Sequence, residues 1–175
     1  MCWIPALALL AHVVEEYPRF PEWATRHFGT TSRPWYVYSH IPLIAAVLGI
    51  SLLAATAPAG TLFPLLATAV QCALATNAVF HVATTFIFRE YSPGVVTAVL
   101  IFVPGTAYLV DRTVREGLLT LPQVAVAVAI GTVVGIAVIA SLWLPMDIDW
   151  RFRRSSPSGL TLAPLTRERS KMPLR

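Results

Sequence analysis

Apolar residues fill five long stretches of this chain, separated by short polar breaks. The stretches cover residues 3–17, 39–56, 61–88, 93–110 and 120–144. Four of them reach or approach the ~20 residues that carry a helix across about 30 Å of hydrocarbon. The first is shorter; at 1.5 Å per residue it covers only about 22 Å. The pattern predicts an all-α membrane protein, a bundle of about five transmembrane helices within residues 1–150. The first stretch does not read as a signal peptide, because no basic segment precedes it and no small-residue cleavage site follows. Either its helix begins upstream, or the bilayer is thinned around it.

Local punctuation supports these limits. Ser92-Pro93-Gly94 offers a capping serine followed by proline at the first helical position, opening the fourth span. Thr120 and Pro122 do the same for the fifth. Pro104-Gly105 falls inside the fourth span and is expected to kink it where neighbours satisfy the freed carbonyl. Ala127, Gly131 and Gly135 recur every four residues and form a stripe suited to close helix packing. That packing is expected within the chain, with contact between two copies through Gly131 and Gly135 as the alternative.

Composition sharpens the assignment. The 175-residue chain is 56% hydrophobic and 13% charged, with mean hydropathy +0.67, against about 25% charged residues in a typical soluble domain. Cys2 and Cys72 lie far apart in apolar surroundings, so no disulfide framework or cysteine zinc site is suggested. Eleven of the thirteen basic residues fall on one side of the bundle: Arg19, Arg26, Arg33, Arg89 and the seven that follow Trp150. Arg112 and Arg115 fall on the other. By the positive-inside rule the C-terminus is cytoplasmic and the N-terminus outside. Tyr17, Trp23, Trp35, Tyr36, Tyr38, Tyr91 and Trp143 cluster near the expected cytoplasmic edge. Residues 151–175 are basic and rich in Ser and Pro, and read as a disordered tail attracted to anionic headgroups. Membrane lipids are the expected partners, and nothing accompanies the tail to suggest nucleic-acid binding.

Within this apolar frame a few polar residues gather at one depth. His12, Glu15 and Glu16 close the first span. Asn77 and His81 sit about 10 Å short of the cytoplasmic end of the third. His12 and Glu16 are four apart, as are Asn77 and His81, so each set shares a helix face. Ionisable residues inside a membrane mark function by default. Imidazole and carboxylate suit a divalent transition metal such as zinc or iron, and His12, Glu16 and His81 form a two-histidine, one-carboxylate set. Glu15 would then serve as a second carboxylate ligand or general base, and Asn77 would orient a ligand or the substrate. The bland alternatives are an interfacial ion pair of Glu15 or Glu16 with Arg19, and hydrogen-bond glue for Asn77 and His81. Gln71 reads as a packing hydrogen bond, His27 as an exposed loop residue, and His40 as an interfacial or capping one.

The segments "HVVEEYPRFPEWATRHFG" (12–29), "NAVFH" (77–81) and "YSPG" (91–94) resemble a family of bacterial integral membrane proteins named for its HXXEE motif. The resemblance covers most of residues 9–110 and implies a multi-span protein of the bacterial cytoplasmic membrane. It implies no established activity, only polar motifs suggestive of an enzyme, which fall on His12, Glu15, Glu16, Asn77, His81, Tyr91, Ser92, Pro93 and Gly94. A looser likeness links "EEYPR" (15–19) to glutamate-dependent intramembrane proteases, one residue short of their pattern and with "NAVFH" reversing their histidine–asparagine order. The leading expectation is a metal-dependent membrane enzyme, of hydrolase or oxidoreductase type, acting on a lipid-like substrate. The alternatives are a metal-free hydrolase with Glu16 as base, a proton-coupled transporter, and a structural scaffold.

Overall fold

The computed structural model describes residues 1–56 and 61–144. Residues 57–60 and 145–175, including the tail expected to be disordered at 151–175, lie outside the described residues. Among the described residues every regular element is helical: α1 (Ile4–Glu16), α2 (Phe20–His27), α3 (Arg33–Thr56), α4 (Phe63–Phe88), α5 (Val95–Thr97), α6 (Val103–Arg115) and α7 (Leu121–Ala140). A π-helical turn, Ala98–Phe102, joins α5 and α6 into one rod, and a 3-10 turn, Ser141–Trp143, continues α7.

Among the described residues, four helical segments are long and apolar enough to cross a membrane: Arg33–Thr56, Phe63–Phe88, Val95–Arg115 and Leu121–Trp143. The first hydrophobic stretch is not in that set, because α1 has only 13 residues. Its place in the bundle is central nonetheless. It packs against α3, α4 and the α5–α6 rod, and the Cys2 thiol reaches the Ala54 carbonyl near the end of α3 at 3.4 Å. The two helices therefore run antiparallel, which brings the Glu16 end of α1 beside the start of α3. Outward faces are apolar: Val14, Val79, Phe86, Leu100 and Val133 are all at least two-thirds exposed, as lipid contact requires.

The small-residue stripe of α7 lies on α4 of the same chain. A Cβ at Gly131 would collide with the Ala69 carbonyl, and one at Gly135 would come within 2.7 Å of Thr76 Cβ. Ala127, Gly131 and Gly135 are all buried there, so this face is occupied within the chain. The fourth span is longer than its apolar stretch, running on to Arg115. Pro104 has no N–H for the carbonyl four residues back, and the turn ahead of it is widened, Val103 N–H bonding Ala98 O. Gln71 donates to Phe102 O at 3.3 Å and to Thr106 Oγ1 at 3.0 Å, bracing this turn from α4.

Three expectations are corrected at the end where α1 stops. The stretch between the first two spans is not simple loop: it contains α2, whose Phe20 and Trp23 turn inward. Trp23 and Tyr36 are 2% and 1% exposed, so they form an aromatic layer with Phe20 and Leu142 rather than an interfacial belt. A ring that packs on several aromatic neighbours buries more apolar area than one left at an interface. The expected cap at Ser92 also fails. The helix starts at Val95 behind Gly94, whose φ is +105°, and its first amides are bound by Glu15 (below). Thr120 does cap α7, in a reciprocal box with Gln123.

The α4–α7 contact yields a stability test. Gly131→Ala and Gly135→Ala should each lower stability by about 1–3 kcal/mol through overpacking. Gly49→Ala, where a Cβ meets nothing within 4 Å, should be neutral or stabilising. Thermal unfolding of the three variants in one detergent checks the contrast.

Candidate metal centre

The last turn of α1, the middle of α4 and the 90–97 segment meet in a closed polar pocket. Three side chains define it, His12, Glu16 and His81, and all three are buried. Glu16 Oε1 lies 3.3 Å from His12 Nε2 and 3.2 Å from His81 Nε2. Its other oxygen, Oε2, accepts the Tyr36 hydroxyl at 2.8 Å. The i,i+4 spacing of His12 and Glu16 stacks them on one helical face. The third member arrives because α4 packs beside α1.

Each imidazole is oriented by a partner on its far nitrogen. His12 Nδ1 is 2.8 Å from Thr97 Oγ1, and that hydroxyl spends its own proton on Glu15 Oε2 at 2.6 Å. It must therefore receive the His12 Nδ1 proton. His81 Nδ1 is 3.0 Å from Ser92 Oγ, which shares a further hydrogen bond of 3.1 Å with Thr84. Ser92 Oγ accepts the Thr84 hydroxyl there, so Thr84 and Ser92 together fix the position of the His81 ring. A third ring behaves like that of His12: His40 Nδ1 sits 2.7 Å from the Tyr36 carbonyl, which can only accept. His40 stacks on the Tyr36 ring at 3.9 Å and turns Nε2 towards Glu16 Oε2, 3.9 Å away. The His12 and His40 rings thus present an unprotonated Nε2 towards one carboxylate, and His81 turns its own Nε2 to the same group at 3.2 Å.

Such a donor set fits a cation. Lone pairs facing a carboxylate repel unless a positive charge lies between them. His81 Nε2 is fully buried and finds no aligned hydrogen-bond partner among the described residues. Tetrahedral zinc bonds of about 2.0–2.1 Å separate neighbouring donor atoms by about 3.3 Å, close to the two spacings found here. Oxygen partners on the outer ring nitrogens are the usual supporting shell of metal-bound histidine.

Glu15, adjacent in sequence, does different work. Its Oε1 accepts the Gly94 and Val96 amides at 3.1 and 3.0 Å and the Tyr91 hydroxyl at 2.5 Å. Its Oε2 accepts the Thr97 amide at 2.7 Å and the Thr97 hydroxyl. It thereby satisfies the open amides at the start of α5, and touches the centre only through Thr97. Neither glutamate pairs with Arg19. Tyr91, which is outside the spans, has its hydroxyl pushed up to about 12 by lost hydration and by its bond to Glu15.

The 91–94 motif wraps the pocket. Ser92 and Pro93 are fully buried, and Gly94 lays backbone directly on the centre. A Cβ on Gly94 would come within 2.5 Å of His12 Cε1, 2.9 Å of His81 Cε1 and 3.0 Å of Glu16 Cγ. Only glycine fits, by both contact and φ. Asn77 is part of the site: its amide nitrogen lies 3.1 Å from His12 Nε2. His27 is corrected from an exposed loop residue to a pinned one, stacked on Phe88 at 3.9 Å and 2.6 Å from Glu90. That bond, with help from Arg26, holds the Glu90 carboxyl below the usual carboxylate range. Tyr36, Thr97 and the inward turn of His40 escaped sequence reasoning. Tyr36 and His40 carried a usable signal in their four-residue spacing, whereas Thr97 carried none.

His12, Glu16, His40 and Asn77 also line the polar end of a cavity of about 470 Å³. Leu43, Val47 and Val70 are among the apolar residues of its remaining wall, which is built from α1, α3, α4 and α7.

A family model described as "Protein of unknown function with HXXEE motif" matches residues 3–109. The chain belongs to that family. No curated protein and no solved structure matches it.

Removing the hydroxyl that holds Glu16 should be costly. Tyr36→Phe strips a buried carboxylate of its donor and should lower stability by about 1.5–3 kcal/mol, measured by thermal unfolding. Trp35→Phe at the half-buried neighbouring position serves as the control.

Proposed function

We propose that this HXXEE-family protein is a membrane-embedded metalloenzyme, with His12, Glu16 and His81 holding one divalent transition metal and hydrolysis of a lipid-like substrate as its reaction. One observation carries the reading: the Nε2 atoms of His12, His81 and His40 converge on one carboxylate at the polar end of an apolar cavity. Bound there, zinc or iron supplies Lewis-acid polarisation and a more acidic water. The rest of the reaction falls to the chain. Glu16 is kept as a ligand by the Tyr36 hydroxyl. Thr97 holds His12 in the ligating tautomer, Ser92 orients the His81 ring, and Glu15 fixes Thr97. Asn77, at the cavity wall, binds the substrate carbonyl. His40 Nε2, free of a donor and facing the cavity, takes a proton from the attacking water. As the carbon–oxygen bond of the substrate breaks, that proton passes to the leaving oxygen.

The positive-inside count supports a cytoplasmic position for this end of the bundle, and the family resemblance a bacterial inner membrane. In this reading α1 is a fifth, short crossing and the N-terminus lies outside. A second reading, a metal-free hydrolase with Glu16 as base, is favoured by one contact, the Asn77 amide on His12 Nε2. There the asparagine satisfies the nitrogen that the metal would take.

Metal analysis separates the two. Full-length protein purified without chelator should carry about one zinc or iron per chain, and His12→Ala, His81→Ala and Glu16→Gln should each lose it. Thr97→Val and Ser92→Ala, which reach the histidines only at their outer ring nitrogens, should weaken metal affinity by about 10–100-fold. Metal-free protein, or content unchanged in His81→Ala, would overturn the assignment.

A further inference from the structure

We infer that the cavity is the seat of one acyl chain, and that the substrate is a single-chain acyl ester entering sideways from the bilayer between α3 and α7. The inference rests on the proposed reaction centre only for which end of the cavity receives the ester head.

Access is the first ground. The aqueous end is closed by the Phe20, Trp23, Tyr36 and Leu142 layer, each member under a tenth exposed. A polar pocket of about 550 Å³ lies beside that layer, lined by Arg19, Glu22, Arg26, Arg33, Glu90 and Tyr91, and it shares no lining residue with the cavity. On the side, α3 packs on α1 and α4, whereas α7 packs on α4 and α6. Both α3 and α7 line the cavity, yet they do not pack along one another. The space between them therefore faces hydrocarbon, and a ligand dissolved in the membrane reaches the cavity without crossing water.

The distribution of chemistry along the cavity is the second ground. Polar lining groups, His12, Glu16, Ser39, His40 and Asn77, sit together at one end, with Ser141 the one further polar lining residue. From His40 to Ile50, both of which line the cavity, α3 advances ten residues, or about 15 Å. That is about half of the ~30 Å hydrocarbon thickness. The wall over this length is Leu43, Val47, Ile50, Leu66 and Val70, with no hydrogen-bonding side chain among them. An amphiphile fits this gradient in one direction, head at the histidines and tail along α3. The volume, about 470 Å³, lies in the lower part of the roughly 300–1,000 Å³ range of small-ligand sites. That suits one chain and not the two of a membrane diacyl lipid.

The test is photolabelling of the full-length protein in lipid nanodiscs with methyl laurate carrying a diazirine at the chain end, followed by mapping of labelled residues by mass spectrometry. Label should concentrate on cavity positions of α3 and α7, Ile50 and Val134 foremost. Unlabelled methyl laurate should compete it away, and dilauroyl phosphatidylcholine should not. Ala73→Phe, which fills the middle of the cavity, should cut labelling by about tenfold. Ile130→Trp, at a half-exposed wall position with little folding risk, should do the same. Chelator-treated protein and His81→Ala should still be labelled. Labelling that persists in chelator-treated protein would uphold the chain site, whereas the metal reading stands or falls on the metal content of untreated protein. Label spread evenly over outward residues such as Phe86 and Leu100, or equally competed by the diacyl lipid, would overturn the inference.

Discussion

A single buried carboxylate organises this protein. Glu16 is 4% exposed, and a charge taken out of water costs several kcal/mol unless partners replace its hydration. Apart from His12, one helical turn back, those partners come from distant parts of the sequence. Tyr36 and His40 approach from α3, His81 from α4, and Gly94 closes the remaining side with bare backbone. The requirement explains why the shortest hydrophobic helix is the central one. α1 must deliver its last turn to the point where α3 begins and α4 passes, and it is packed between them to do so.

Two adjacent glutamates end up with unrelated tasks because successive helical positions point about 100° apart. Glu16 faces inward to the histidines. Glu15 faces the rod that starts at Val95 and accepts the amides of Gly94, Val96 and Thr97. An N-terminal cap supplied by a different helix ties the position of α5 to that of α1. The tie also reaches the centre, since the Thr97 hydroxyl bridges Glu15 and His12. The HXXEE motif thus places one face on the histidine cluster and one on the start of α5 within five residues.

The same geometry makes the site one-sided. An aromatic layer under α2 seals the end nearest the charged residues, while the apolar cavity runs back into the bundle. Close packing of α7 on α4 through Gly131 and Gly135 draws α7 onto one flank of α4, with α3 on the other. The gap between those flanks is a consequence of the glycine contact, not of any feature of the polar residues.

Much of this was readable from the chain itself. Long apolar stretches dictate helices because only internally hydrogen-bonded backbone suits hydrocarbon, and their limits agree with α3, α4 and α7 to within about six residues. The spacing of His12 with Glu16, and the shared depth of His81, marked the centre, since helical periodicity is a local property. Three things were out of reach. Ser92 read as a helix cap and became a histidine partner, because a cap depends on which acceptor arrives first, and Glu15 arrives from another helix. Trp23 and Tyr36 read as interfacial aromatics, because sequence shows that a ring prefers an edge and not whether α2 folds over it. The role of Thr97, and the gap between α3 and α7, follow from how helices lean on one another. That is settled by side-chain fit at long range, which no local pattern records.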